Sequence, residues 1–564
     1  MLLHLASTLA LATSGFDPER PAEVFSGAQT RSADGAVTLW DRIERLEDPD
    51  RTLLTPDAFG AAVAWADNAA YAPHIGACFR TGTPGAHQAL LHVGLDADAL
   101  EGTPVLLLPG AGDNASRAFA RLARSLEADG HPVFALTFAH PHGDVFKQAE
   151  LVADALARIA VITGEPQVDL VAHSKGGIAA AVYVSNAPGT SWPSEAYEAV
   201  GTSFRGDVRR AVFVGVPLGG VDTVHRWSNN NFAALDADSA ISPSSWSRHY
   251  PLSTANLFVY DELADQDLLS DGRDLFPGQR QVLARQPHPL PVTLPVLGAY
   301  AAQQDGWTTY EGGYGYVSYS AGIDAAIEDG GGLIATLRER GADPDVELYV
   351  LAGDNPVMSN GIEWVDAVWG AAWGDLVGGA VDAWGAFVGA LVGDGLLASG
   401  LTEGEVAGLA TGDLILGEIT GPSDGVVFVG SATRTEALTA RGAVVHDLHV
   451  ADLSHLDLLV ASPGTAATLR ALAGTDAGEA WMTPFADRYE REDSVGWIVS
   501  ALHDDEAPGD TDEPGDTDEG DPDEPGDTDE GVGDSIGGGC HAVAVPVTGI
   551  GLALVGLLGV RRRR

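Results

Sequence analysis

The sequence predicts an α/β protein with a mostly parallel central sheet and helices on both of its faces. Short apolar runs that end in turn residues, such as residues 103–108, alternate with longer segments of helical period. Such runs are typical of buried parallel strands, and their alternation with helices implies crossovers that cover both faces. The chain has 564 residues, 45% of them apolar, which is sufficient to bury a sizeable core.

The alternation is clearest in residues 103–218, which we assign as the first part of the core. The predicted strands cover 103–108, 131–138, 168–172 and 209–216, and the predicted helices cover 116–129, 145–163 and a segment that begins at 177. We interpret the preceding residues, 16–102, as an irregular helical lead-in without catalytic groups.

The second half of the chain resumes the core after an insertion. Residues 219–345 are too long for a plain loop, and we expect them to form a cap or extra elements. The second part of the core covers 346–475, and a C-terminal extension covers 476–503. Strands are expected at 346–352, 413–419 and 443–448, with a further insertion at 362–397.

Both ends of the chain carry segments of unusual composition. Residues 1–15 form a candidate signal segment, since Leu2–Ala12 has the length of a signal-peptide apolar region. The segment lacks the usual basic residue before it, so a frayed first helix or a start codon placed too late are the alternatives.

The C-terminal residues predict an acidic linker followed by a membrane anchor. From Asp504 to Asp534 there are 16 acidic residues and no basic one, so we expect a disordered linker over 504–539. Cys540 then opens a tail, 540–564, with 19 uncharged residues from Ala542 to Val560 and four terminal arginines. A span of this length with cytoplasmic arginines predicts an exported protein held at the cell envelope. The alternative is a buried core helix.

Composition excludes some partners. The formal net charge of −49 would repel phosphates, so we expect no nucleic-acid binding. Two cysteines, Cys78 and Cys540, do not make a disulfide framework. We predict no cofactor and no bound metal.

The strongest chemical motif is V-A-H-S-K-G-G at 171–177, which follows a predicted strand and opens a small-residue helix. This is the context of a nucleophile elbow, in which a sharp turn exposes a serine hydroxyl, with Ala172 in the first glycine place. Ser174 is therefore the candidate nucleophile. The helix that begins beneath it favours a developing oxyanion.

An oxyanion hole needs two backbone N–H donors. The donor after the nucleophile belongs to Lys175, and the other is expected from the loop after an earlier strand. The turn 109–112 ends the first core strand, and Ala111 is our candidate donor there. The alternative is that this segment is only a tight turn.

A serine nucleophile also needs a base and an acid that orients the base. Asp424 follows a turn and precedes an apolar stretch, and Asp354, just after a strand, is the rival acid. His455, 31 residues after Asp424, is the candidate base. His173 is interpreted as a packing residue, and two other histidines lie on or beside a strand, where they pack or face solvent: His446 and His449.

Together the motifs V-A-H-S-x-G-G, V-G-V-P-L-G-G at 214–220, S-D-G-V-V and S-H-L-D resemble the bacterial true lipases of the α/β-hydrolase superfamily. The resemblance covers residues 104–220 and 413–475, and it implies an α/β-hydrolase fold with a Ser174, Asp424 and His455 triad. Some members bind a structural calcium through the position of Asp457. Here Ala461 replaces a side-chain ligand, and Lys175 replaces the commoner Met or Gln.

The C-terminal tail resembles the sorting tails of myxobacterial surface proteins, through a cysteine after small residues, an apolar span and an arginine cluster. The resemblance covers about the last 30 residues. It implies processing near Cys540 and a protein that remains at the cell surface.

The insertion 362–397 bears on the substrate. As one helix, it would place Trp369, Trp373 and Trp384 within about 60° of each other, with Asp375 and Asp382 on the far side. One interpretation is a lid that opens on lipid, and the other is a helix packed on the core by its tryptophan face.

These features predict a lipase or carboxylesterase that acts on lipid or other ester substrates. The alternatives are an acyltransferase on the same scaffold and a catalytically dead, surface-anchored binding protein.

Overall fold

A computed structural model of the protein describes most of the expected core. The described residues are 16–27, 40–48, 77–80, 84–111, 113–141, 143–188, 192, 202–223, 277–287, 293–294, 299–300, 313–314, 319–320, 323–358, 414–415, 421–473 and 482–503. The statements below concern these residues.

A sheet of nine strands forms the centre of the fold. The strands are β1 (Glu23–Ser26), β2 (Arg42–Glu47), β3 (Gln88–Val93), β4 (Val105–Leu108), β5 (Val133–Phe138), β6 (Val168–His173), β7 (Val208–Val214), β8 (Glu347–Gly353) and β9 (Val444–Ala451). Their spatial order is β1-β2-β3-β5-β4-β6-β7-β8-β9. From β5 to β9 all neighbours are parallel, as expected for strands that read as continuous apolar runs.

The N-terminal lead-in corrects the sequence interpretation. Residues 16–102 were expected to be irregular and helical, yet they contribute β1, β2 and β3, which pair antiparallel with each other and with β5. The sheet is therefore mixed. β2 has the sequence RIERLE, and its charged residues do not suggest a buried strand. Glu44 is nevertheless buried, because it pairs with Arg42 and Arg158. A simple apolar pattern cannot identify such a strand.

Helices cover both faces of the sheet, as predicted. They are α1 (Ala115–Ala118), α2 (Ala120–Ala128), α3 (Val145–Thr163), α4 (Lys175–Val184), α5 (Pro277–Gln281), α6 (Ile323–Asp329), α7 (Leu333–Arg340), α8 (Val429–Ala432), α9 (Glu436–Thr439), α10 (Pro463–Ala473), α11 (Met482–Arg491) and α12 (Ser494–Leu502), with a 3₁₀ turn at Asp457–Leu459.

Side-chain alternation along the strands divides the core into two layers. In β4, Leu106 and Leu108 pack in the layer of α3, α4 and α7, whereas Val105 and Leu107 pack in the layer of α1, α2 and α10–α12. Helix α3 has the predicted bounds because Asp144 caps its first turn and Gly164 ends it in the left-handed conformation.

One predicted core strand is wrong. Residues 413–419 were expected to rejoin the sheet, but Leu414–Ile415 forms a two-residue ladder with Val357–Met358, outside the nine strands. Two other short ladders join 293–294 with 299–300 and 313–314 with 319–320. The last parallel strand at that edge is β9, which was predicted and which pairs with β8.

Four predicted segments lie outside the described residues: the signal segment 1–15, the insertion 362–397 with its tryptophans, the acidic linker 504–539 and the tail 540–564. Within the part of the chain that the structure describes, no helix combines the length and apolar character needed to cross a bilayer.

Candidate active site

Ser174 occupies the sharp turn between β6 and α4. Its backbone has φ +52° and ψ −130°, and it is one of three non-glycine residues with positive φ among the described positions. The turn is held in place because the Ser174 N–H donates to the carbonyl of Val214 at 3.0 Å. A serine kept in this unfavourable region points to a functional constraint.

Glycines around Ser174 allow the backbone to approach closely. A Cβ on Gly176 would clash with the carbonyl of Pro109, and one on Gly177 would clash with the side chain of Val216. A Cβ on Gly110 would lie 2.9 Å from Ser174 Cβ and 3.4 Å from its Oγ. The small residues of the motif thus allow helix α4 to start directly against the turn that follows β4.

The two predicted oxyanion donors lie on either side of this contact. Lys175 is the first residue of α4, so its backbone N–H lies among the unpaired donors of the helix start. Ala111 is half-buried and directly follows Gly110, the residue that approaches Ser174. Their role as a pair of donors stays a prediction.

A buried hydrogen bond joins His455 to Asp424. The Nδ1 of His455 lies 2.7 Å from Asp424 Oδ2, and both residues are at most 2% exposed. The other carboxylate oxygen accepts backbone N–H bonds from Val426 at 3.0 Å and Val427 at 2.7 Å. The His455 N–H also donates to the Asp424 carbonyl at 2.9 Å, so two bonds link the acid to the base.

The other candidates lie elsewhere. Asp354 is exposed, and its N–H donates to the carbonyl of Ala451 at 3.0 Å. Of the two candidate acids, Asp424 is therefore the one hydrogen-bonded to His455. Two histidines of β9 stack on aromatic rings, at centroid distances of 5.7 and 6.1 Å: His446 on Tyr349 and His449 on Trp497.

The nucleophile turn and the Asp424–His455 pair lie at the same edge of the sheet, where β6, β7 and β8 end. Gly215 directly follows the Val214 that binds Ser174, and a Cβ on Gly215 would lie 3.2 Å from His455 Nδ1. His173, directly before Ser174, lies 2.9 Å through Nε2 from the His455 carbonyl. This edge is where ligands bind in open parallel sheets.

The Lys175 side chain is buried away from solvent, which the sequence did not indicate. Its Nζ donates to Oε1 of Gln148 on α3, and a Cβ on Gly278 of α5 would clash with its Cε. Burial lowers the pKa of Lys175 to about 7, although the charge of Asp144 partly opposes that shift. Lys175 is thus buried, with its Nζ bonded to Gln148.

Asp457, which corresponds to a calcium ligand in some of the lipases that the sequence resembles, binds helix α11. Tyr489 of α11 donates its hydroxyl to Asp457 Oδ1 at 2.5 Å, with both residues buried. No group of three or more metal-ligating side chains occurs among the described residues. The hydrogen bond from Tyr489 thus takes up one of the two Asp457 carboxylate oxygens.

No family model and no curated protein matches the chain. Solved structures that resemble it include lipases, an esterase and a siderophore hydrolase.

Three of these solved structures are compared with the chain below. A mature lipase from Bacillus licheniformis is 14% identical, with 65% of this chain and 91% of that chain covered and a TM-score of 0.29. An esterase from a Rhodococcus species is 17% identical, with 48% and 78% covered and a TM-score of 0.21. A siderophore hydrolase from Aspergillus fumigatus is 14% identical, with 50% and 81% covered and a TM-score of 0.26. Scores of this size support no statement about activity.

Proposed function

We propose that this protein is a serine hydrolase that cleaves carboxylic esters through an acyl-enzyme, with Ser174 as nucleophile, His455 as base and Asp424 as orienting acid. The observation that carries the proposal is the buried Asp424–His455 hydrogen bond at the same sheet edge as a serine held at φ +52°. A bonded acid and base next to a constrained nucleophile is the arrangement that acyl transfer requires.

In the first half of the reaction, Ser174 Oγ attacks the ester carbonyl carbon as its proton passes to His455 Nε2. The carbonyl π electrons move to oxygen, and the tetrahedral oxyanion takes hydrogen bonds from the backbone N–H groups of Lys175 and Ala111. When the carbon–oxygen bond breaks, His455 Nε2 returns the proton to the leaving alcohol. The imidazolium that forms in between is stabilised by Asp424 through Nδ1.

In the second half, water takes the place of the alcohol. His455 Nε2 accepts a proton from the water as its oxygen attacks the acyl carbon, and it then protonates Ser174 Oγ as the acid product leaves. The Asp424 carboxylate stays in one orientation throughout, because the backbone N–H groups of Val426 and Val427 bind its second oxygen. The imidazole therefore keeps one orientation, with Nε2 available for proton transfer in both halves.

The test is labelling with a fluorophosphonate probe together with hydrolysis of p-nitrophenyl esters. We expect the purified protein to be labelled once per chain and to lose labelling in Ser174→Ala. His455→Ala should reduce ester hydrolysis as severely as Ser174→Ala, because triad members act as a unit. A Ser174→Ala variant that hydrolyses esters at the wild-type rate would exclude the proposal. Labelling without release of free acid, but with transfer to an added alcohol, would instead identify an acyltransferase.

We also propose that the substrates are lipid esters and that the enzyme is exported and anchored at the cell envelope. The sequence alone supports these statements, through the tryptophan stripe in 362–397 and the acidic linker and apolar tail in 504–564. Esters of graded acyl length, offered as monomers and as emulsions, would test the substrate class. A strict preference for soluble acetyl esters would contradict it.

A further inference from the structure

His173 connects the nucleophile turn to the base. It is the last residue of β6, directly before Ser174, and it is 2% exposed. Its Nε2 lies 2.9 Å from the carbonyl oxygen of His455, and the centroids of the two imidazole rings are 4.6 Å apart, with a 43° angle between their planes. A Cβ on Gly110 would lie 3.0 Å from His173 Nδ1. The ring is thus enclosed by the nucleophile turn, the loop after β4 and the base.

The hydrogen bond determines the tautomer of His173. A carbonyl oxygen can only accept, so the Nε2 of His173 must carry the hydrogen. His455 is then held at both ends of its own backbone, since its N–H donates to the Asp424 carbonyl at 2.9 Å and its carbonyl accepts from His173. A main chain fixed on both sides leaves the imidazole of His455 little freedom except rotation about its side-chain torsions.

This arrangement has a chemical consequence for the base. The Nδ1–Asp424 bond, at 2.7 Å, stabilises the imidazolium form of His455 only while the ring stays aligned with the carboxylate. Loss of the His173 bond would let the His455 loop shift by a fraction of an ångström. The shift would weaken the bond to Asp424 and move Nε2 relative to Ser174.

We propose that His173 is a positioning residue that aligns the general base His455 through a hydrogen bond to its main-chain carbonyl. The proposal rests on the proposed hydrolase function and adds a fourth side chain to the machinery, one that touches no substrate. His173 then affects the proton transfers at His455 and leaves ester binding unchanged.

The test compares two replacements at one position. His173→Phe keeps the ring packing and removes the donor, whereas the amide of His173→Gln reaches the place of Nε2 and can donate again. For the Phe variant we expect kcat to fall about 10- to 100-fold with KM within about twofold of wild type, the size that small misplacements of catalytic groups produce. The Gln variant should recover most of kcat.

A purely structural role would give a different pattern. The Phe and Gln variants would then lose activity to the same extent as they lose thermal stability, with no recovery of kcat in the Gln variant, and that result would overturn the inference. Should the Phe variant fail to fold, His173→Asn replaces it, since the shorter Asn amide ends near the place of Nδ1. Equal activity of the Asn and Gln variants would also overturn the inference.

A second readout separates this inference from the proposed function. In the Ser174→Ala background, proton NMR should show a low-field resonance for the His455 Nδ1–H bonded to Asp424. We expect the resonance to persist with His173→Gln and to broaden or disappear with His173→Phe. If the wild-type enzyme cleaves no ester but the resonance behaves in this way, the proposed function fails and the role of His173 stands. A resonance unchanged in the Phe variant refutes that role.

Discussion

Replacement of Lys175 by Met tests the electrostatics of the site through stability. The Lys175 ammonium would be buried in the native state, with its Nζ bonded to Gln148 and the Asp144 charge nearby. Burial lowers the pKa of the amine from 10.5 to about 7. At about 1.4 kcal/mol for each pKa unit, that difference corresponds to a free-energy cost of about 5 kcal/mol for the protonated side chain in the folded protein.

The sign of the pH dependence follows from proton counts. Between pH 7 and 10.5 the unfolded chain binds a proton at Lys175 that the folded chain does not, so the free energy of unfolding rises with pH across this window. Below pH 7 both states are protonated and the full cost is present. Lys175→Met removes the cost and the hydrogen bond to Gln148, whose loss costs about 1–3 kcal/mol. At pH 6 the variant should therefore be more stable than wild type by about 2–4 kcal/mol.

Urea unfolding at pH 6, 8 and 10, followed by circular dichroism, measures this difference. The advantage of the Met variant should shrink as pH rises and reverse near pH 10, where the wild-type lysine is neutral in the folded state. The chain contains one other lysine, Lys147, which is half-buried on α3, so Lys147→Met is the matched control. A stability difference between Lys175→Met and wild type that stays constant from pH 6 to 10 would refute the reasoning. Ester hydrolysis should persist, because the backbone N–H of residue 175 is retained.

Three further predictions concern the acid, the oxyanion turn and the tail. Asp424→Asn should lower kcat by about 10³- to 10⁴-fold, as when an orienting acid is lost, whereas Asp354→Asn should stay within about threefold; an inactive Asp354 variant beside an active Asp424 variant would move the assignment. Gly110→Ala places a Cβ 2.9 Å from Ser174 Cβ, so kcat should fall roughly 10²-fold with a small loss of stability, and full activity would show that the turn can yield. Truncation after Asp534 should release active enzyme into the medium, as fractionation would show; retention on membranes would place the anchor elsewhere.

The parallel half of the fold was predictable because its signals are local. Helix α3 begins and ends where predicted, because its N-cap Asp144 and its C-cap Gly164 can be recognised in the sequence. Helix α4 begins at Lys175, two residues before the predicted start, because the elbow leads into the helix without a linker. The strands β1–β3 were missed. In β2 the reason is that the strand carries a buried charge whose partner lies far away in the chain. Arg158, for example, binds Glu44 across 114 positions.

Long-range contacts also limited the prediction of the site. The motif around Ser174 and the order of serine, acid and base can be found in sequence because they are short and ordered. The burial of Lys175 cannot be found in this way, because the residues that contact its side chain, Gln148 and Gly278, belong to two other helices. His173 was interpreted as a packing residue for the same reason. Its partner is a carbonyl 282 positions away, and no side-chain pattern encodes a backbone acceptor.

The end of β8 explains why the acid paired with the base comes from a later loop. Asp354 follows β8 directly, and sequence order alone makes it an equal candidate. The strand ends in Gly353, however, where a Cβ would clash with the Leu453 carbonyl and lie 2.9 Å from Asp424 Cβ. The space that a side chain would fill is occupied by the two loops that carry Asp424 and His455. Asp354 is left beyond that packing and exposed. A single glycine at the strand end thus lets the acid and base loops meet over β8, and the carboxylate that reaches His455 is the one carried by the incoming loop.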